Sequence, residues 1–109
     1  MVNSIAKQQE YTVISFGVDI KSKKVLFLTN KRNQFEFTFK DILVYESILK
    51  QTLKIIENSP WLLKQFLLKT FSFTLSRSDE RNGIFFENFI IKLSYKQTLD
   101  LFEKINATH

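Results

Sequence analysis

From Tyr11 the chain alternates. Ile14, Phe16, Val18 and Ile20 fall on one side, and Tyr11, Val13, Ser15, Gly17 and Asp19 on the other, which is the period of a strand. A "KSKK" turn follows, then "VLFLTN", a second strand apolar on both faces, then a "KRNQ" turn. "FEFTF" is a third strand, with Phe35, Phe37 and Phe39 on one side. The period then changes to 3.6. Ile42, Tyr45, Ile48, Leu49, Thr52, Ile55 and Ile56 form one helical stripe, and Asp41 suits its N-cap. "NSP" interrupts this helix. Ser59 suits a cap and Pro60 the first position of a second helix, "PWLLKQFLLK", which is apolar nearly all round and therefore reads as core. "TFSFTLS" alternates again. "SDERNG" reads as a hairpin loop, and "IFFENFIIKL" returns as a fifth strand. Ser94 and Gln97 have capping-box spacing ahead of a last helix with Tyr95, Leu99, Phe102 and Ile105 on its stripe.

The pattern predicts an α+β fold: a five-stranded antiparallel sheet with helices on one face, in the order βββ-α-α-ββ-α. Residues 1–10 read as a flexible tail and 11–109 as a single domain. A faint echo runs through the chain at a shift of about 50. Arg32-Asn33 and Phe37 match Arg81-Asn82 and Phe86; Tyr45, Leu49 and Ile55 match Tyr95, Leu99 and Ile105. A degenerate β-hairpin–helix repeat stays open beside the plainer account that any two such units share this pattern.

Charge changes the picture more than composition does. The net charge is +5, and residues 21–32 hold Lys21, Lys23, Lys24, Lys31 and Arg32 without one acid. The remaining eleven Lys and Arg equal the eleven Asp and Glu in number, so the whole excess lies in that window. The chain is also rich in Phe, with 12 of 109 residues, which is first a property of a core. Part of the lysine excess is also what an AT-rich genome produces. With no Cys, no apolar run near the roughly 18 residues of a membrane span and no signal-like start, the expectation is a soluble intracellular protein.

Catalytic chemistry finds no foothold. The single His is the last residue, His109, and no Cys is present, so the commonest zinc ligands are missing. Gly17 and Gly83 lie too far apart for a phosphate loop, and Asp79-Glu80 sits in the expected hairpin loop. The expectation is no enzyme, no cofactor and no metal.

The first functional expectation is binding of single-stranded nucleic acid with weak sequence preference. Lys21, Lys23, Lys24, Lys31, Arg32, Arg77 and Arg81 would contact phosphates, and Tyr11, Phe27 and Phe86 would stack on bases across the outer sheet face. Six strand residues at about 3.3 Å each put the two basic turns about 20 Å apart, so they bracket a face and form no single pocket. The second expectation is a homodimeric interaction module, an adaptor or chaperone-like subunit, using Ile84, Phe86 and Ile90 of the fifth strand. In outline the element order resembles single-strand-binding folds of the Whirly, PUR and transcriptional-coactivator type. It equally resembles the small dimeric chaperones of type III secretion, which are usually acidic. These are likenesses of topology and carry no residues across.

Overall fold

The computed structural model describes the backbone of residues 7–81 and 84–107, and the side chains of residues 9–77 and 89–107. Three strands come first: β1 (Lys7–Asp19), β2 (Lys24–Thr29) and β3 (Gln34–Thr38). Three helices follow: α1 (Phe39–Leu43), α2 (Glu46–Glu57) and α3 (Trp61–Thr70). The chain ends with β4 (Ser72–Arg81), β5 (Ile84–Ser94) and α4 (Tyr95–Asn106). β1 begins inside the segment expected to be a tail, and its residues 7–10 pair with β5.

The fold is α+β, but the sheet is mixed rather than antiparallel. Its order is β3-β2-β1-β5-β4, and β1 runs parallel to β5 at the centre. Hairpins join β1 to β2, β2 to β3 and β4 to β5, so those pairs are antiparallel. Alternation within strands cannot show which strand the second hairpin docks against, or in which direction.

β1 changes partner halfway. Its residues 7–12 pair with β5 and residues 13–19 with β2, and a bulge lies between Val13 and Ser15. One extra residue reverses the facing of everything after it. Tyr11 and Val13 therefore face the core together with Phe16 and Val18, while Ile14 and Ile20 are exposed. Uninterrupted alternation predicts the opposite side for Tyr11 and Val13. Gln97 closes the bulge. Its Nε2 donates to the Val13 carbonyl at 3.0 Å and to that of Ile14 at 3.4 Å, while its Oε1 accepts from the Ser94 amide in the predicted capping box.

The core lies between the inner sheet face and the helices. Val25, Phe27, Phe37, Leu75, Ile91 and Leu93 of the strands share one buried cluster with Phe39 and Ile42 of α1, Leu49 of α2 and Leu101, Phe102 and Ile105 of α4. Each such side chain contributes about 1.5–3 kcal/mol by leaving water.

The helices differ from their expected bounds. Thr38, not Asp41, is the N-cap of α1, and Asp41 sits at the third position to complete a capping box. The expected first long helix breaks at Val44 and Tyr45 into α1 and α2. Ser59 does not cap α3. Its hydroxyl donates back to the Ile55 carbonyl at 2.6 Å, and Pro60 takes the cap position. On α4 the buried stripe is Thr98, Leu101, Phe102 and Ile105, and Leu99 is exposed. Among the residues matched in the internal echo, Leu49 is buried where Leu99 is exposed and Ile55 is exposed where Ile105 is buried, while Tyr45 and Tyr95 are both half-buried. Asp79 and Glu80 belong to β4, at a register shift, and Asn82-Gly83 lies outside the described residues. Among the described residues, no helix is long and apolar enough to cross a membrane.

Candidate interaction surfaces

The two basic turns stand at opposite ends of β2. The first is organised by Asp19, whose carboxylate accepts from the amides of Lys21 and Ser22 and from the Ser22 hydroxyl at 2.7 Å. The Ser22 hydroxyl, then the Ser22 amide, hold that carboxyl below its ordinary value, with a smaller contribution from Lys24. Lys23 adopts a left-handed φ of 56°, which turns the chain into β2. Lys21 and Lys23 are exposed, but Lys24 pairs with Glu36 at 3.3 Å. A depression of about 330 Å³ beside this turn holds Lys24 and Glu36 together on its wall, so it offers no concentrated positive charge.

The second turn is built on Thr29, which is fully buried. Its hydroxyl accepts from the amides of Lys31 and Asn33, and Arg32 takes a left-handed φ of 62°. The side chains of Lys31 and Arg32 reach solvent, and the Lys31 ammonium lies 4.9 Å from the Tyr11 ring centroid.

The expected stacking platform does not form from the described residues. Phe27 is 0% exposed and Tyr11 9% exposed, and both face the helices. Tyr11 packs edge-on against Phe35 and Phe89, and Phe27 edge-on against Phe37. The bulge in β1 is the reason for Tyr11, and the inward parity of β2 for Phe27. Among the described residues, the outer face carries no aromatic ring; Leu26, Leu28 and Ile14 are its exposed apolar side chains. Arg77 is half-buried and serves the interior. Its guanidinium lies over the Phe37 ring at 4.0 Å and donates to the Glu36 carbonyl. Ile90 is half-buried on the outer face, between Ser76 and Glu10 of the neighbouring strands; Glu10 is paired there with Lys92. Ile84, Phe86 and Arg81 belong to β4 and β5 in backbone, and their side chains lie outside the described ones.

The helices expose what the sequence pattern assigned to the core. α3 has no buried residue. Leu62 is 76%, Trp61 70% and Phe66 60% exposed, and Leu63 is also open to solvent. Lys64, Leu67 and Leu68 are the half-buried residues, so a lysine shares the body side of the helix with two leucines while Leu62 and Leu63 take the solvent side. On α2, Leu49 and Ile56 are buried, while Ile48 and Ile55 are exposed, as is Val44 just before them. The sequence carries only an ambiguous sign of this: α2 is apolar over a wider arc than one core face uses, and α3 over most of its surface, a pattern that fits a packed helix as well as an open one.

Among the described residues, no group of His, Cys, Asp and Glu is arranged to hold a metal. Comparison of the chain with family models, with curated proteins and with solved structures returned no match.

Proposed function

We propose that this chain is a non-enzymatic protein-interaction module that self-associates through α3. The observation that carries the reading is the solvent face of that helix. Trp61, Leu62, Leu63 and Phe66 together expose on the order of 500 Å², near the upper end of what a lone soluble domain tolerates as one apolar patch. A second copy is the occupant that needs no further assumption. Leu62 and Phe66 lie four residues apart, along the ridge that packs one helix into the groove of another, so two α3 helices can cross about a two-fold axis. The flanking Gln65, Lys69 and Thr70 supply a polar rim. The test is sedimentation of the wild-type chain and of Leu62→Glu. A dimer that the substitution dissociates supports the reading; a wild-type monomer at concentrations of about 100 μM, far above the Kd of a standard-sized interface, removes it.

A second reading keeps the basic turns. Lys21, Lys23, Lys31 and Arg32 are exposed and make no ion pair among the described residues, which favours weak contact with a phosphate backbone. Affinity for a single-stranded oligonucleotide at about 50 mM and about 200 mM salt decides it. Binding that collapses with salt and is lost on neutralising these four residues supports phosphate contact. Absence of binding at the lower salt leaves them as solvated turns.

A further inference from the structure

β4 ends the sheet, and its outer edge is unpaired. Among the described residues, none of residues 72–77 makes a backbone hydrogen bond on that side. Six residues at about 3.3 Å each give a free edge of about 20 Å. Residues 72–76 carry no Pro and no charged side chain, and the register shift of β4 comes later, between Asp79 and Glu80; the inward-pointing Arg77 marks the end of this unprotected stretch.

The uncovered stripe of α2 overhangs this edge. Two concavities lie along it. One, of about 290 Å³, has Tyr45, Ile48 and Thr52 on the helix side and Phe71, Phe73 and Thr74 on the strand side. The next, of about 340 Å³, is lined by Lys40, Asp41, Val44 and Tyr45, by Ser76 and Arg77 of β4, and by Phe37 of the opposite edge strand. Tyr45 lines both, so the two adjoin along one trough-like line at that residue, and the Tyr45 ring stands edge-on against Phe73, 5.8 Å between centroids. The sheet is one strand too narrow for the helix above it.

Two needs coincide here. A row of strand-edge amides and carbonyls is satisfied by another backbone, and Val44 and Ile48 are satisfied by apolar side chains. A strand laid beside β4 supplies both, with alternate side chains turned toward α2. The second copy's β4 does not meet the second need, because its inward Phe73 and Leu75 are committed to its own core. The occupant must bring a free apolar face. Charge selects further. Lys40 and Arg77 stand at one end of the trough against one carboxylate, Asp41, so that end is net positive; Arg77 is held there by neutral groups, the Phe37 ring and the Glu36 carbonyl.

We propose that the free edge of β4 and the exposed stripe of α2 form an acceptor groove for one extended segment of a partner protein, apolar at alternate positions and acidic at the end that meets Lys40 and Arg77. This groove is separate from the α3 surface, and either can stand without the other.

The test uses the full chain carrying Leu62→Glu, so that α3 self-association does not interfere. The probe is a fluorescein-labelled peptide alternating valine and threonine, with two glutamates at its amino end or, in an isomer, at its carboxyl end. Saturable binding of one isomer is expected, with slowed amide exchange at residues 72–77. Ile48→Lys is expected to weaken binding at least tenfold. Ile48 is exposed, so the fold should survive the change; Thr52→Arg at the same lip is the second variant, and far-UV circular dichroism checks both. Lys40→Glu should reverse the preference toward a lysine-ended peptide. No saturable binding, or protection confined to α3 or to the basic turns, overturns the proposal. Protection of residues 72–77 that grows with protein concentration and without peptide gives the edge to a second copy, and overturns it equally.

Discussion

The guanidinium of Arg77 in β4 lies 4.0 Å from the ring centroid of Phe37 in β3, although β3 and β4 are the two opposite edges of the sheet. The same side chain donates to the carbonyl of Glu36. The sheet therefore curls far enough for the Arg77 side chain to reach from one edge to the other on the inner side, with an open concavity left between them. The same curl brings Phe35 of β3 within 4.8 Å of Phe89 of β5, ring to ring, and within 4.8 Å of Tyr11. Arg77 is a latch across the open side of the curl, and its role in the interior replaces the phosphate contact expected for it.

Arg77→Met should lose the charged hydrogen bond and the cation–ring contact while keeping most of the stem packing. The expected cost is about 2 kcal/mol in urea unfolding. Arg77→Lys should recover little of it, because an ammonium cannot lie flat on Phe37 and reach the Glu36 carbonyl together. Full recovery by lysine would show that charge alone matters at this position.

Gln97 joins two elements that meet at one point, the N-terminus of α4 and the bulge of β1. Gln97→Ala should cost about 1–2 kcal/mol, since the cap and the bulge carbonyls lose their partner together. Gln97→Glu keeps an acceptor for the Ser94 amide but brings a carboxylate to the carbonyls of Val13 and Ile14. It should therefore not restore stability at neutral pH. Thermal unfolding of the three proteins gives the comparison.

Trp61 is the chain's only tryptophan, and it stands on the exposed face of α3. Its emission therefore reports burial of that helix directly. Self-association should shift the spectrum to the blue as concentration rises, and Leu62→Glu should hold it at the water-exposed position. A spectrum independent of concentration in a proven dimer would place the dimer contact elsewhere.

The Asp19 carboxyl is held below its ordinary value of 3.8 by the Ser22 hydroxyl and amide. A group depressed in the folded state stabilises it above the ordinary value and loses that contribution as pH falls through the depressed one. The first basic turn should stay ordered at neutral pH and loosen only in acid below about pH 4. Amide exchange of Lys21 and Ser22 against pH measures it, and Asp19→Asn should remove the acid-dependent part. Loosening that begins well above pH 4 would assign the transition to another group.

Much of the fold was legible in local pattern. The existence of the five strands (though not the start of β1 or the end of β4), the last helix, the Ser94–Gln97 box and the inward side of Phe35 and Phe37 all follow from alternation, the helical period and capping chemistry. These depend on residues within a few positions of each other. The stacking residues were not legible. A single inserted residue in β1 moves Tyr11 to the core side, and the bulge has its reason where β5 stops pairing and Gln97 arrives from 84 residues away. Nor was α3 legible as a surface, since an apolar helix can be read either as packed or as awaiting a partner.

By itself, then, the sequence determined roughly where the strands and helices lie, where the excess positive charge lies and that Cys is absent with a single His at position 109. Each of these is a matter of local spacing or composition. The tertiary structure alone decided that β1 and β5 run parallel, that the Arg77 side chain bridges the two edges of the sheet, that Tyr11 and Phe27 are buried and that α3 and half of α2 are open. Those outcomes depend on contacts between distant residues, whose free energy exists only once the chain has brought them together.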